Sequence, residues 1–142
     1  MKKILFISFL AMILTACGTG QAGETREATG LEVLDNAKVT VFYFHGKQRC
    51  VTCVTLQEVT QQAVAENFSG NADVQFLEID VSEKVNQALA DKYEIVFSSL
   101  VIATPNDFKD ISQEAFDLVM TEPEVLKALI VQEVNTYIKK KV

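Results

Sequence analysis

Lys38-Val39-Thr40-Val41-Phe42-Tyr43-Phe44 and, after a five-residue gap, Cys50-Val51-Thr52-Cys53 decide how this chain is read. The first stretch is β-branched and aromatic, and mostly apolar on both of its faces, which predicts a central strand covered from two sides. Beyond the cysteines, Cys53, Leu56, Val59, Ala63 and Val64 recur at threes and fours, which predicts a helix over Cys50–Phe68 closed by Ser69-Gly70-Asn71. A C-x-x-C at a junction of strand and helix carries chemical meaning that the same spacing elsewhere does not. Three residues of separation set the sulfurs across one helical turn, within reach of bridging. Backbone N–H groups and the helix dipole favour thiolate at Cys50, and Arg49 and Lys47 add positive charge nearby.

Outward from this pair, strand and helix alternate. Val74–Val81 reads as a second strand and Ser82–Lys92 as a shorter helix carrying Val85, Ala88 and Leu89, with Asp80 placed to start it. Ser99–Thr104 is a third strand, Pro105-Asn106-Asp107 a turn, and Phe108–Ile111 a short edge strand. One helix is expected over Gln113–Met120. Another begins at Thr121-Glu122-Pro123-Glu124, read as a capping box with proline in the first turn, and has Val125, Leu129, Ile130, Val134, Tyr137 and Ile138 as its apolar positions. Lys139, Lys140 and Lys141 suit its negative end. The alternation predicts an α/β sheet, parallel at least in its first half.

Three pieces in order resemble the thioredoxin-like superfamily: the strand, C-x-x-C and helix; Leu77-Glu78-Ile79-Asp80, similar to the family's second-strand pattern; and Lys92-Tyr93-Glu94-Ile95 leading into Val96 to Ile102. They span 38–104. The resemblance implies a three-layer sandwich, a central mixed sheet flanked by helices, here with extra C-terminal helices. It also implies dithiol–disulfide chemistry, in which Cys50 attacks a disulfide of a protein partner and Cys53 resolves the mixed disulfide. The chain departs from the family in several places. Ser99, preceded by Ser98, stands where the family carries a cis-proline. Val41-Phe42-Tyr43-Phe44 lacks the family's buried acid. The loop His45-Gly46-Lys47-Gln48-Arg49 lacks the usual aromatic residue, and Val51-Thr52 replaces Gly-Pro.

Each candidate residue has a plainer reading beside the chemical one. Cys50 and Cys53 suit a redox couple, a static disulfide capping a helix in a non-catalytic adaptor, or a thiol metal site for Cu(I), zinc or an iron–sulfur cluster, completed by His45 or by a second chain. His45 is a proton shuttle or a polar loop residue. Ser98 and Ser99 offer hydroxyls to a docked backbone or to a sulfur, or simply satisfy a turn. Tyr43 and Phe44 are expected in the core, and so is Phe97, although it could also line a substrate groove. No glycine-rich phosphate loop and no G-x-G-x-x-G is present in the sequence, so no organic cofactor is implied.

The first residues read as an address. Met1-Lys2-Lys3 is followed by thirteen uncharged residues, Ile4–Ala16, the length of a signal-peptide core and short for a membrane span. Leu14-Thr15-Ala16-Cys17 resembles the lipobox of bacterial lipoproteins, which implies acylation of Cys17 after cleavage and stable anchoring by several chains. An ordinary cleaved signal is the simpler alternative. The expected organisation is a lipoprotein signal over 1–16, a flexible tether over 17–30 (small, polar and glycine-rich) and one domain over 31–142. This places the domain on the extracytoplasmic side of a bacterial envelope, with a membrane redox partner to supply or take electrons. The 142-residue length fits one domain, and the composition, 49% hydrophobic and 23% charged, excludes collagen-like and wholly disordered classes. A net charge of −6 argues against a nucleic-acid partner.

Overall fold

The computed structural model describes residues 37–140; the signal, the tether, Cys17 and Lys141 lie outside them. Four strands form one mixed sheet. Strand β1 (Val39–His45) is followed by helix α1 (Val51–Phe68), strand β2 (Val74–Asp80), a 3-10 turn (Lys84–Asn86) and helix α2 (Gln87–Lys92). Strands β3 (Ser99–Ala103) and β4 (Phe108–Asp110) come next, then helices α3 (Ser112–Leu118) and α4 (Pro123–Lys139). The strand order is β2-β1-β3-β4: β1 runs parallel to β2 and antiparallel to β3, and β4 is an antiparallel edge. No helix among the described residues is long and apolar enough to cross a membrane.

The double-sided apolar character of β1 has a direct cause. All seven of its residues are buried. Val39, Val41 and Tyr43 pack on one side with Leu56, Val59 and Ala63 of α1 and with Leu126, Ile130 and Val134 of α4. Phe42 and Phe44 pack on the other side with Ile79, Leu89, Tyr93, Val101 and Ala103. Alternate side chains of one strand thus feed two separate cores, each excluding water from side chains that gain about 1.5–3 kcal/mol apiece on burial.

Helix α1 starts where a cap is available. Cys50 holds extended backbone and its Sγ accepts the N–H of Cys53. The helix ends before Gly70, whose φ of 78° a side-chain-bearing residue adopts only at a cost. Helix α2 ends differently: Ile95 N–H reaches Ala90 C=O and Glu94 N–H reaches Asp91 C=O, with Glu94 itself at φ 55°. This left-handed stop is what Lys92-Tyr93-Glu94-Ile95 encodes, and it turns the chain toward β3.

Several expectations need correction. The second helix is shorter than Ser82–Lys92, because Asp80 Oδ1 accepts both the N–H (2.8 Å) and hydroxyl (2.6 Å) of Ser82 and starts a turn instead. Val85 and Ala88 face solvent there, and Leu89 and Ala90 are the buried positions. The capping box at Thr121 does not form. Glu122 is the N-cap without a side-chain cap bond, and the Thr121 hydroxyl donates to Asp117 C=O of the preceding turn. The apolar face of α4 is set by Leu126, Ile130, Val134 and Tyr137, whereas Val125 is 48% exposed. Lys140 serves as more than a complement to the helix end: its ammonium lies 2.9 Å from Asp107 and over the ring of Tyr137. Lys109 of β4 reaches the largely buried Glu133 of α4 at 2.7 Å, tying the edge strand to that helix.

Candidate functional site

The cysteines lie at the carboxyl end of β1, where the chain leaves the sheet and enters α1. Cys50 is exposed, Cys53 is half-buried, and both are free thiols. The N–H of Cys53 points at Cys50 Sγ at 3.2 Å. The Cys53 thiol, followed by that N–H, pulls the Cys50 pKa below its ordinary value, and the N–H groups of Cys50 and Thr52 act in the same direction. Desolvation opposes the shift but is outweighed by the two contributions from Cys53. The arrangement is therefore an accessible sulfur biased toward thiolate with a second, partly covered sulfur one turn behind it. That pairing suits nucleophilic attack followed by internal capture.

Below the thiols lies a polar network. The Tyr43 hydroxyl, fully buried, donates to Cys53 C=O at 2.7 Å. Burial, the largest influence on that hydroxyl, raises its pKa, and the Arg49 and Ser98 side chains act in the opposite direction. The guanidinium of Arg49 sits 5.7 Å from the centre of the Tyr43 ring. Its Nη1 donates to Glu78 Oε1 at 3.1 Å and its Nη2 donates to Gln57, which in turn donates to Glu78 Oε2. His45 stacks on Tyr43 and places Nε2 2.9 Å from Glu78 Oε1 and Nδ1 3.0 Å from Gly46 C=O. The Tyr43–Glu78 register of β1 on β2 brings these groups to one corner.

The structure thus places His45 and Arg49 around Glu78. His45 Nε2 faces Glu78 and its Nδ1 faces Gly46 C=O, and no group of three or more His, Cys, Asp or Glu side chains among the described residues is placed to hold a metal ion. Ser98 is half-buried and weakly opposes the rise in the Tyr43 pKa, whereas Ser99 is buried and donates to Phe97 C=O at 3.0 Å, satisfying its own turn. Tyr43 and Phe44 are core, as expected. Phe97 is not: it is 80% exposed, beside Val96 at 76%, on the loop before β3. Tyr43 (as a site residue), Glu78 and Gln57 were not singled out by their sequence. The available signals were that Glu78 falls opposite Tyr43 once the strands are paired, and that Gln57 lies four residues, one helical turn, after Cys53.

No family model matches the sequence, and no curated protein does either. Solved structures do match. The zinc-bound form of human ERp44 superposes at a TM-score of 0.54 with 18% identity over 72% of this chain and 28% of that one. Human ERp44 form I gives 0.53 and 20% over 71% and 26%. The Drosophila melanogaster thioredoxin Deadhead gives 0.49 and 19% over 72% and 86%. This chain spans about a quarter of the length of the ERp44 structures. At such identities the overlay speaks to architecture, and it agrees with the strand order and with the layered packing of β1: the chain has a thioredoxin-like α/β fold, divergent in sequence.

Proposed function

We propose that the protein is an exported, lipid-anchored thiol–disulfide oxidoreductase. One observation carries this reading: Cys50 is exposed at the N-cap of α1, and its sulfur is supported as thiolate by the Cys53 thiol and N–H. Cys50 thiolate attacks a disulfide in a partner protein. A bond forms between Cys50 and one substrate sulfur, and the other substrate sulfur leaves as thiolate and takes up a proton. Cys53, deprotonated, then attacks Cys50 and releases the first substrate sulfur, which is protonated in turn. Two electrons pass to the substrate and the protein keeps a Cys50–Cys53 disulfide. The same steps in reverse oxidise a substrate dithiol. A membrane redox partner resets the pair. Cys17 carries the lipid, and the tether over 17–30 holds the domain off an envelope membrane on its extracytoplasmic side.

Disulfide-exchange turnover on insulin and on a small-molecule disulfide tests the chemistry. Wild type turns over, Cys50→Ser is inert, and Cys53→Ser accumulates a mixed disulfide. Equal inactivity of all three across several thiol donors overturns the reading. Labelling of the full chain with radioactive palmitate tests the anchor, since Cys17→Ser should lose the label.

A further inference from the structure

Arg49 precedes the exposed thiol directly in sequence, yet its charge is committed elsewhere. The guanidinium donates to Glu78 and to Gln57, lies over the Tyr43 ring, and leaves the side chain 23% exposed. Gln57 also donates to Glu78, so the carboxylate closes a loop of hydrogen bonds from β2 to the loop before α1 and to α1 itself. Two further basic residues lie close by: His45 Nε2 is 2.9 Å from Glu78 Oε1, and Lys47 adds a small contribution to the lowering of the Asp80 pKa, which the hydrogen bonds from Ser82 dominate.

We infer that Glu78 is a positioning residue for the dithiol: it holds Arg49 down against Tyr43 and Gln57 and so keeps a full positive charge from settling on the Cys50 thiolate. The inference deepens the proposed function, because it rests on Cys50 being the attacking thiol. Its physical basis is simple. Arg49 is held at two points, Nη1 on the Glu78 carboxylate and Nη2 on Gln57, which Glu78 holds in turn, and a charge-assisted bond to a carboxylate of this kind is about twice as strong as a neutral one. Without the carboxylate, the guanidinium is one residue from the sulfur, and a unit charge moved to a few ångströms from a solvent-exposed thiolate shifts its titration by about half a pH unit or more. Glu78 thereby tempers the thiol: it leaves Cys50 less acidic, and the reduced pair less stabilised relative to the disulfide, than the local sequence Arg49-Cys50 alone would make them.

The test is the titration of Cys50 in the reduced protein, read by ultraviolet thiolate absorbance and by iodoacetamide alkylation rate against pH. Neither readout requires disulfide-exchange activity, so an inactive oxidoreductase and a failed inference are distinguishable. In Glu78→Gln the Cys50 curve should move to lower pH by about half a unit or more, and in the double variant Glu78→Gln/Arg49→Met that downward displacement should vanish. A general loosening of the site would move both variants alike. A Glu78→Gln curve at or above the wild-type position, or a displacement that persists in the double variant, overturns the inference. Should Glu78→Gln not fold, as judged by circular dichroism, Glu78→Asp carries the test: its shorter reach releases Arg49 in part and should give a smaller shift in the same direction, and an unmoved curve overturns the inference.

Discussion

The hydroxyl of Tyr43 on β1 donates to the backbone carbonyl of Cys53 in the first turn of α1, at 2.7 Å and out of contact with water. The bond ties the helix carrying the thiols to the centre of the sheet. Tyr43→Phe keeps the ring in the core and removes only the donor. The expected loss is about 1 kcal/mol, the net worth of a buried neutral hydrogen bond, because Cys53 C=O retains the backbone of its own helix as a partner. Urea denaturation should show a lower midpoint with an unchanged slope. A midpoint equal to wild type would mean that the hydroxyl holds nothing in place.

A second prediction concerns the thiol pair. The Cys53 side chain is the largest of the influences that lower the Cys50 pKa, so Cys53→Ala should shift the Cys50 titration to higher pH and slow alkylation at neutral pH. The sign carries into stability. A thiol whose folded pKa lies below its unfolded value binds fewer protons when folded, so the unfolded state holds the extra proton and stability rises with pH through that interval. That contribution is complete above the unfolded value and fades as pH falls through the folded one. The reduced wild type should gain stability across that window relative to Cys53→Ala, and chemical denaturation at a series of pH values measures it.

Much of this molecule is legible in its sequence, and the boundary has physical reasons. The central strand is readable because Val41, Phe42, Tyr43 and Phe44 must satisfy two cores at once, which makes both faces mostly apolar over that run. The thiol pair was readable because its meaning depends on local context, the end of a strand and the start of a helix. The network around Glu78 was not, because it depends on pairing two strands 35 residues apart in register. Thr121 misled for a related reason. A capping box is a local signal, but its hydroxyl had a competing acceptor in Asp117 C=O once α3 was in place. Phe97 misled because hydrophobicity alone places a phenylalanine inside, whereas the loop at 96–98 turns it out.

The phase of α4 can be tested by a contrast between neighbours. Leu126 is fully buried against the β1 and α1 side chains, and Val125 next to it is half-exposed. Leu126→Ala should cost about 2–5 kcal/mol, combining lost transfer energy and the cavity left behind. Val125→Ala should cost about 0.5 kcal/mol or less, as surface changes usually do. Thermal melts of the two variants decide it, and comparable losses would place the helix in a different rotation.

Phe97 offers the sharpest separation of function from stability. At 80% exposure it contributes little to the folded state, so Phe97→Ser should change stability by no more than about 0.5 kcal/mol. Phe97 and Val96 together present an exposed apolar step on the loop before β3. A polypeptide docking there would bury the ring, and recovering about 1.5 kcal/mol of apolar burial corresponds to about tenfold in affinity. Phe97→Ser should therefore raise KM for a protein disulfide by about tenfold while leaving exchange with a small-molecule disulfide unchanged. Equal effects on both substrates would place the ring's influence on the thiols themselves, and no effect on either would mean that substrates approach Cys50 from another side.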